Sequence, residues 1–250
     1  MRFFTIIAVA LLSYSIGADA NDLFVGKKPI EYVSGAPLEP STTIGGYPIY
    51  QGVDWKLYKV SANQAGTING ADAVQFGTAV LVQNEPDGNV FGVMIISANI
   101  NETAKNQYYI GEPCRGAHLV AVNKGGGLND NCMTIDVKSD QSNNKTVTYF
   151  DILVTNSDSG GRKLMVEMRL VADMLGFRNT LPADWSKEHV DSTPTKKAFI
   201  TKLRGWAELM QDASHRAVDY SRPKNIYDSI PSYKTLVNVP DDIADGNLSQ

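Results

Sequence analysis

Arg162-Lys163-Leu164-Met165-Val166-Glu167-Met168-Arg169-Leu170-Val171-Ala172-Asp173-Met174-Leu175-Gly176 can be laid out on two periods, and the architecture depends on which one holds. Leu164, Met168, Val171 and Leu175 fall at i, i+4, i+7 and i+11, with Met165 and Ala172 beside them, and good helix formers fill the rest. Gly176 then stands where a helix would stop. The competing reading makes 163–170 a strand, paired with 146–155 across the polar turn Asn156-Ser157-Asp158-Ser159-Gly160-Gly161. Helix is the expectation taken forward.

Upstream of this stretch the chain reads as sheet. Residues 55–60, W-K-L-Y-K-V, alternate large apolar and charged side chains, the period of a strand with one wet face. Residues 74–83 and 90–100 are more continuously apolar and β-branched, and Pro86-Asp87-Gly88 between them is turn chemistry, so they predict a hairpin near the sheet centre. Gly77 and Gly92 inside these runs mark either a bulge or a close backbone approach. Further strands are expected at 107–110, 117–123, 132–138 and 146–155.

Downstream, Thr193 and Pro194 supply a cap and a first helical residue. Phe199, Leu203, Trp206, Met210, Ala213 and Ala217 then form one stripe, which predicts a long helix lying on the sheet. Prolines and glycines crowd residues 21–54, and Pro223, Pro231 and Pro240 interrupt the C-terminal end, so both flanks read as extended arms with aromatic anchors.

At the N-terminus a single Arg2 precedes an apolar run over 3–12 and the small-x-small triplet Ala18-Asp19-Ala20, the pattern of a secretory signal peptide cleaved after Ala20. The run is shorter than the roughly 20 residues that span a bilayer. Export places the two cysteines, Cys114 and Cys132, in an oxidising compartment, where a disulfide is the expected pairing. The simplest arrangement is a hairpin of 117–123 and 132–138 carrying the cysteines at its outer ends. A closed loop of that size contributes roughly 3 kcal/mol.

The expected fold is therefore α+β: an antiparallel sheet of about six strands, two C-terminal helices covering one face, extended arms and one intrachain disulfide. Its organisation would be a leader at 1–20, an arm at 21–54, a globular domain at 55–222 and a second arm at 223–250. With 43% hydrophobic and 20% charged residues the 250-residue chain is of globular composition. Its net charge of -4 argues against nucleic acid as a partner.

Candidate chemistry is sparse. Asp158-Ser159-Gly160-Gly161 resembles the segment around the nucleophile of trypsin-like serine proteases, and His118 and Asp136 precede it in the order His, Asp, Ser. That resemblance covers four contiguous residues, and it implies Ser159 as nucleophile, His118 as base and Asp136 as its orienting partner. A polar turn is the competing reading of the same residues. His118 with nearby carboxylates could also serve acid/base chemistry without Ser159. Gly125-Gly126-Gly127 reads as a turn. No H-E-x-x-H, G-x-S-x-G, calcium loop or dinucleotide fingerprint occurs, so no metal or cofactor is expected. Asn101, Asn144 and Asn247 head glycosylation sequons. The expectation is a secreted or periplasmic binding or envelope-interaction protein whose partner is a protein or envelope component. The alternative is a secreted hydrolase using His118.

Overall fold

The computed structural model describes residues 22–39, 42–50, 55–65, 74–84, 88–100, 114–126, 130–142, 145–158, 161–218 and 226–232. The leader, the strand expected at 107–110, Ser159, the three sequon asparagines and the end of the C-terminal arm lie outside them.

Five two-residue strands come first: β1 (Phe24–Val25), β2 (Lys28–Pro29), β3 (Ala36–Pro37), β4 (Thr43–Ile44) and β5 (Tyr47–Pro48). Longer ones follow: β6 (Lys56–Ala65), β7 (Val74–Asn84), β8 (Val90–Asn99), β9 (Val120–Asn123, four residues), β10 (Asn131–Ser142), β11 (Lys145–Ser157) and β12 (Lys163–Val171). Helices α1 (Lys187–Ser192) and α2 (Pro194–Val218) come after the sheet strands, and the described residues end with 226–232, where Ile226, Tyr227 and Ile230 are buried. The main sheet is antiparallel with the order β3-β6-β7-β8-β12-β11-β10-β9. It has eight strands, not about six. The two additional ones are β3, contributed by the N-terminal arm, and β12.

The helix expected over 164–175 is thus overturned: β12 is a central strand, paired with β11 on one side and β8 on the other. A spacing of four is even, so Leu164 and Met168 suit both periods. The discriminating residues are Val166 and Leu170, buried with Leu164 and Met168, while Lys163, Met165, Glu167 and Arg169 alternate toward the other face. Helix propensity yields because a strand here can bond to two ladders, β8 and β11. The chain re-enters the sheet through a turn in which Asp158 N donates to Arg162 O at 3.0 Å and Arg162 Nε donates to Asp158 Oδ2 at 2.6 Å. Gly161 in that turn has φ +80°, a conformation that favours glycine. Without β12 the meanders β6–β8 and β9–β11 would be separate sheets; with it they are one. Gly176 does stop a helical turn, but only the short 3-10 turn Asp173–Leu175.

One face of the sheet is the core. Leu81, Met94, Ile96, Met133, Ile135, Phe150, Ile152, Leu164 and Met168 are nearly or fully buried. α2 lies over β10 and β11 and buries Phe199, Leu203, Trp206, Met210, Ala213 and Ala217, the stripe read from sequence. Phe150, Phe177, Trp185 and Phe199 form an aromatic cluster, edge to face at Phe150–Trp185 with centroids 4.7 Å apart, Phe177–Trp185 and Phe177–Phe199, and tilted at Phe150–Phe199. The N-terminal segment packs on the body through Leu23, Phe24, Ile44, Tyr47, Ile49 and Tyr50, all buried. Phe24 settles what Gly77 is for: a Cβ there would lie 2.5 Å from the Phe24 ring, a close approach. At Gly92 both readings hold, since the β7–β8 register shifts beside it and Arg169 O would lie 3.1 Å from a Cβ.

Cys114 and Cys132 form the disulfide, with Cα atoms 5.7 Å apart. Its place differs from expectation. Cys132 pairs in register with Asn123, so it sits at the loop end of the β9–β10 hairpin, not the outer end. Residues 114–119 instead double back, Gly116 taking φ +125°. β9 begins only at Val120 because the Leu119 amide donates to the Asp136 carboxylate and not to a strand.

Candidate functional site

The face of the sheet away from α2 carries two of the three candidate residues, Asp136 and its neighbour His118. Cys132, Thr134, Asp136 and Lys138 alternate toward it along β10, opposite in direction to the core residues Met133 and Ile135. The segment 114–119 is fastened to this face at two points on β10. One is the disulfide at Cys132. The other is Asp136, whose Oδ2 lies 2.7 Å from His118 Nδ1 and whose Oδ1 accepts from Leu119 N at 3.2 Å.

The structure therefore brings His118 and Asp136 together. The remaining ring nitrogen, Nε2, lies 3.3 Å from Arg115 O. Both neighbours are acceptors, so the ring acts first as a tie between loop and strand. A carboxylate on Nδ1 is also the orienting half of an acid/base dyad. Asp158 and Gly161, on either side of residues 159 and 160, belong to the β11–β12 turn. That turn follows Ser157, level with Asp130, and Asp136 is six residues further along β10, about 20 Å at the usual strand rise. His189 Nδ1 lies 3.0 Å from Ala183 O, and His215 sits in the last turn of α2. Gly125 N donates to Asn123 Oδ1, as a turn requires.

Sequence reading missed the ionic set around Asp136. Asp136, Asp151, Arg169, Val93 and Val82 lie in one row across five strands, each in register with the next. Two carboxylates thus face each other across β10 and β11, a destabilising pair unless each is compensated. Asp136 has His118. Asp151, 5% exposed at its side chain, bonds Lys138 and has Arg169 Nε at 4.0 Å. Arg169 Nε also donates to Glu167 Oε1 at 2.6 Å. The bond to Asp151 holds the Lys138 ammonium above the ordinary lysine range. Burial pulls down on the Arg169 guanidinium, but Glu167, Tyr149 and Asp151 outweigh it and hold it above its usual value. The missed signal was the alternation of charge at 136 and 138 and at 167 and 169, which only register places beside Asp151.

The other half of this face is apolar: Val80, Val82, Val93 and Ile95, with Leu153 and Met165, all half-buried. At its β6 corner a groove of about 440 Å³ opens, walled by Leu57, Tyr58, Val82, Val90 and Val93 with Lys56 at its side. A register shift between Leu57 and Lys59 breaks the regular alternation at Tyr58, which is 60% exposed. Ser34 Oγ donates to Tyr58 O at 3.2 Å and Gly35 N to Leu57 O at 2.7 Å, which sets Val33, 75% exposed, beside it.

Among the described residues no three His, Cys, Asp or Glu side chains are grouped to hold a metal ion, and no helix is long and apolar enough to cross a membrane. No family model, curated protein or solved structure matches the chain.

Proposed function

We propose that this is an exported, non-catalytic binding protein, released by cleavage after Ala20, whose partner is a protein or envelope component. The groove at the β6 corner carries the reading. Among the described residues Tyr58 and Val90 are two of the large apolar side chains left exposed, and both line a cleft of ligand-binding size. The disulfide between Cys114 and Cys132 suits an oxidising compartment. Of the described arm tyrosines Tyr47, Tyr50 and Tyr227 are buried against the body, which leaves Tyr32 as the exposed one that would add contact surface.

The test is to immobilise the purified protein and pass fractionated envelope and secreted components over it, with Tyr58→Asp and Val90→Asp as controls. A component retained by wild type and lost with both variants supports the reading. Retention of nothing, or equal retention by the variants, removes it.

One observation favours the alternative, a secreted hydrolase: the His118 Nδ1 to Asp136 Oδ2 contact of 2.7 Å. In that reading His118 is the base, and a broad substrate screen must find a turnover that His118→Ala abolishes while the protein stays folded.

A further inference from the structure

Beneath the C-terminal half of α2 three side-chain amides converge on the core face of the sheet. Asn131 on β10 and Asn156 on β11 are directly opposed in register. Gln211 reaches down from α2, its Nε2 donating to Asn131 O at 2.9 Å and to Val122 O at 3.1 Å. Asn131 is 6% exposed, and Asn156 and Gln211 are 0% exposed. Four of their polar atoms have no hydrogen-bond partner among the described residues: Asn131 Oδ1, Asn156 Oδ1, Asn156 Nδ2 and Gln211 Oε1.

Magnitudes decide what this means. A buried polar atom left unpaired lowers a folding constant about tenfold. Four together would remove much of the margin by which a typical domain stays folded. These atoms need partners.

We infer that Asn131, Asn156 and Gln211 enclose an internal hydration site, one or two ordered waters shared between α2 and the β10–β11 ladder. The donor and acceptor inventory selects water over other small occupants. Three oxygens need donors and one nitrogen needs an acceptor, and a water supplies both. A cation would suit the oxygens but would meet the Asn156 NH₂ group. Exchanging the two ends of the Asn156 amide changes nothing, because both are unpartnered. The carboxylate nearest in sequence, Asp130 beside Asn131, already has a cation, Lys163 Nζ at 3.9 Å. α2 is then joined to the edge of the sheet partly through solvent.

The wild-type protein provides the main test. A high-resolution crystal structure should show solvent density bonded to Asn156 Nδ2 and to at least two of the three oxygens. Rotating-frame water cross-peaks should reach the Asn156 side-chain NH₂ in solution. Amides bonded directly to one another, with neither density nor cross-peak, overturn the inference. A rise in melting temperature with potassium chloride but not choline chloride also overturns it, in favour of a cation.

An independent arm is the double-mutant cycle of Asn156→Leu and Gln211→Leu, read as urea midpoints. Each single substitution should lower the folding constant about tenfold. The double variant should lose clearly less than the product of the two, because both remove partners of the same water. Strict additivity contradicts a shared site.

Discussion

Asp151 is held by two cations that are far more exposed than it is, and the asymmetry has a measurable consequence. Lys138 is 53% exposed at its side chain against 5% for Asp151. Lys138→Met leaves the buried carboxylate opposite Asp136 with only Arg169, 4.0 Å away, and should cost about 2–3 kcal/mol. Asp151→Ala frees two cations that water can reach and should cost nearer 1 kcal/mol. Urea denaturation of the two variants checks the order, and equal losses would contradict the account. A second prediction concerns Tyr50 and Tyr227, whose hydroxyls burial pushes up to about 12. For Tyr227 the Ser214 bond and Arg216 pull the other way without prevailing. With folded values above the unfolded value near 10, the stabilisation is complete below pH 10 and is lost as pH rises toward 12. Each ring contributes roughly 2–3 kcal/mol to that loss. Urea midpoints followed with tyrosinate absorbance should fall together over this window. Tyr50→Phe should flatten the decline.

At the scale of elements, β12 is what distinguishes one sheet from two. Val166 points into the core between Ile96 and Val154, whereas Met165 faces the opposite side beside Ser97 and Thr155. Val166→Asp should therefore abolish cooperative folding, and Met165→Gln, one residue away, should change stability by less than about 1 kcal/mol. Thermal melts by circular dichroism distinguish this from an amphipathic helix, in which the two positions would not alternate. The N-terminal strands are attached through a different device, the missing side chain of Gly77. Gly77→Ala would press a methyl group against the Phe24 ring and Ile100 Cγ2, 2.5 and 2.7 Å from the new carbon. The expected cost is about 1–3 kcal/mol, with increased proteolysis of the segment that carries Phe24.

For the molecule as a whole, the disulfide spans 18 residues and fastens one edge of the sheet, while the core lies between the sheet and α2. Reduction should lower stability by about 3 kcal/mol yet leave a folded protein. Denaturation with and without reductant, followed by far-UV circular dichroism, measures both. Loss of all structure on reduction would show that the core cannot stand without its staple.

What could be read from sequence followed from local periodicity and chemistry. The α2 stripe, the alternation in β10 and β11, the β7–β8 hairpin and the pairing of the two cysteines each depend on residues close in the chain or on compartment. His118 and Asp136 were legible as candidates because their side-chain types are. The tertiary structure decided the rest, for a physical reason: strand pairing is non-local. Whether 163–170 coils or extends depends on two strand edges, β8 and β11, that no window of sequence contains. The same register sets Asp151 opposite Asp136, brings Arg169 to it and turns Asn131 and Asn156 toward Gln211. Burial then makes those neighbours matter, since a charge or amide removed from water must find its partner there.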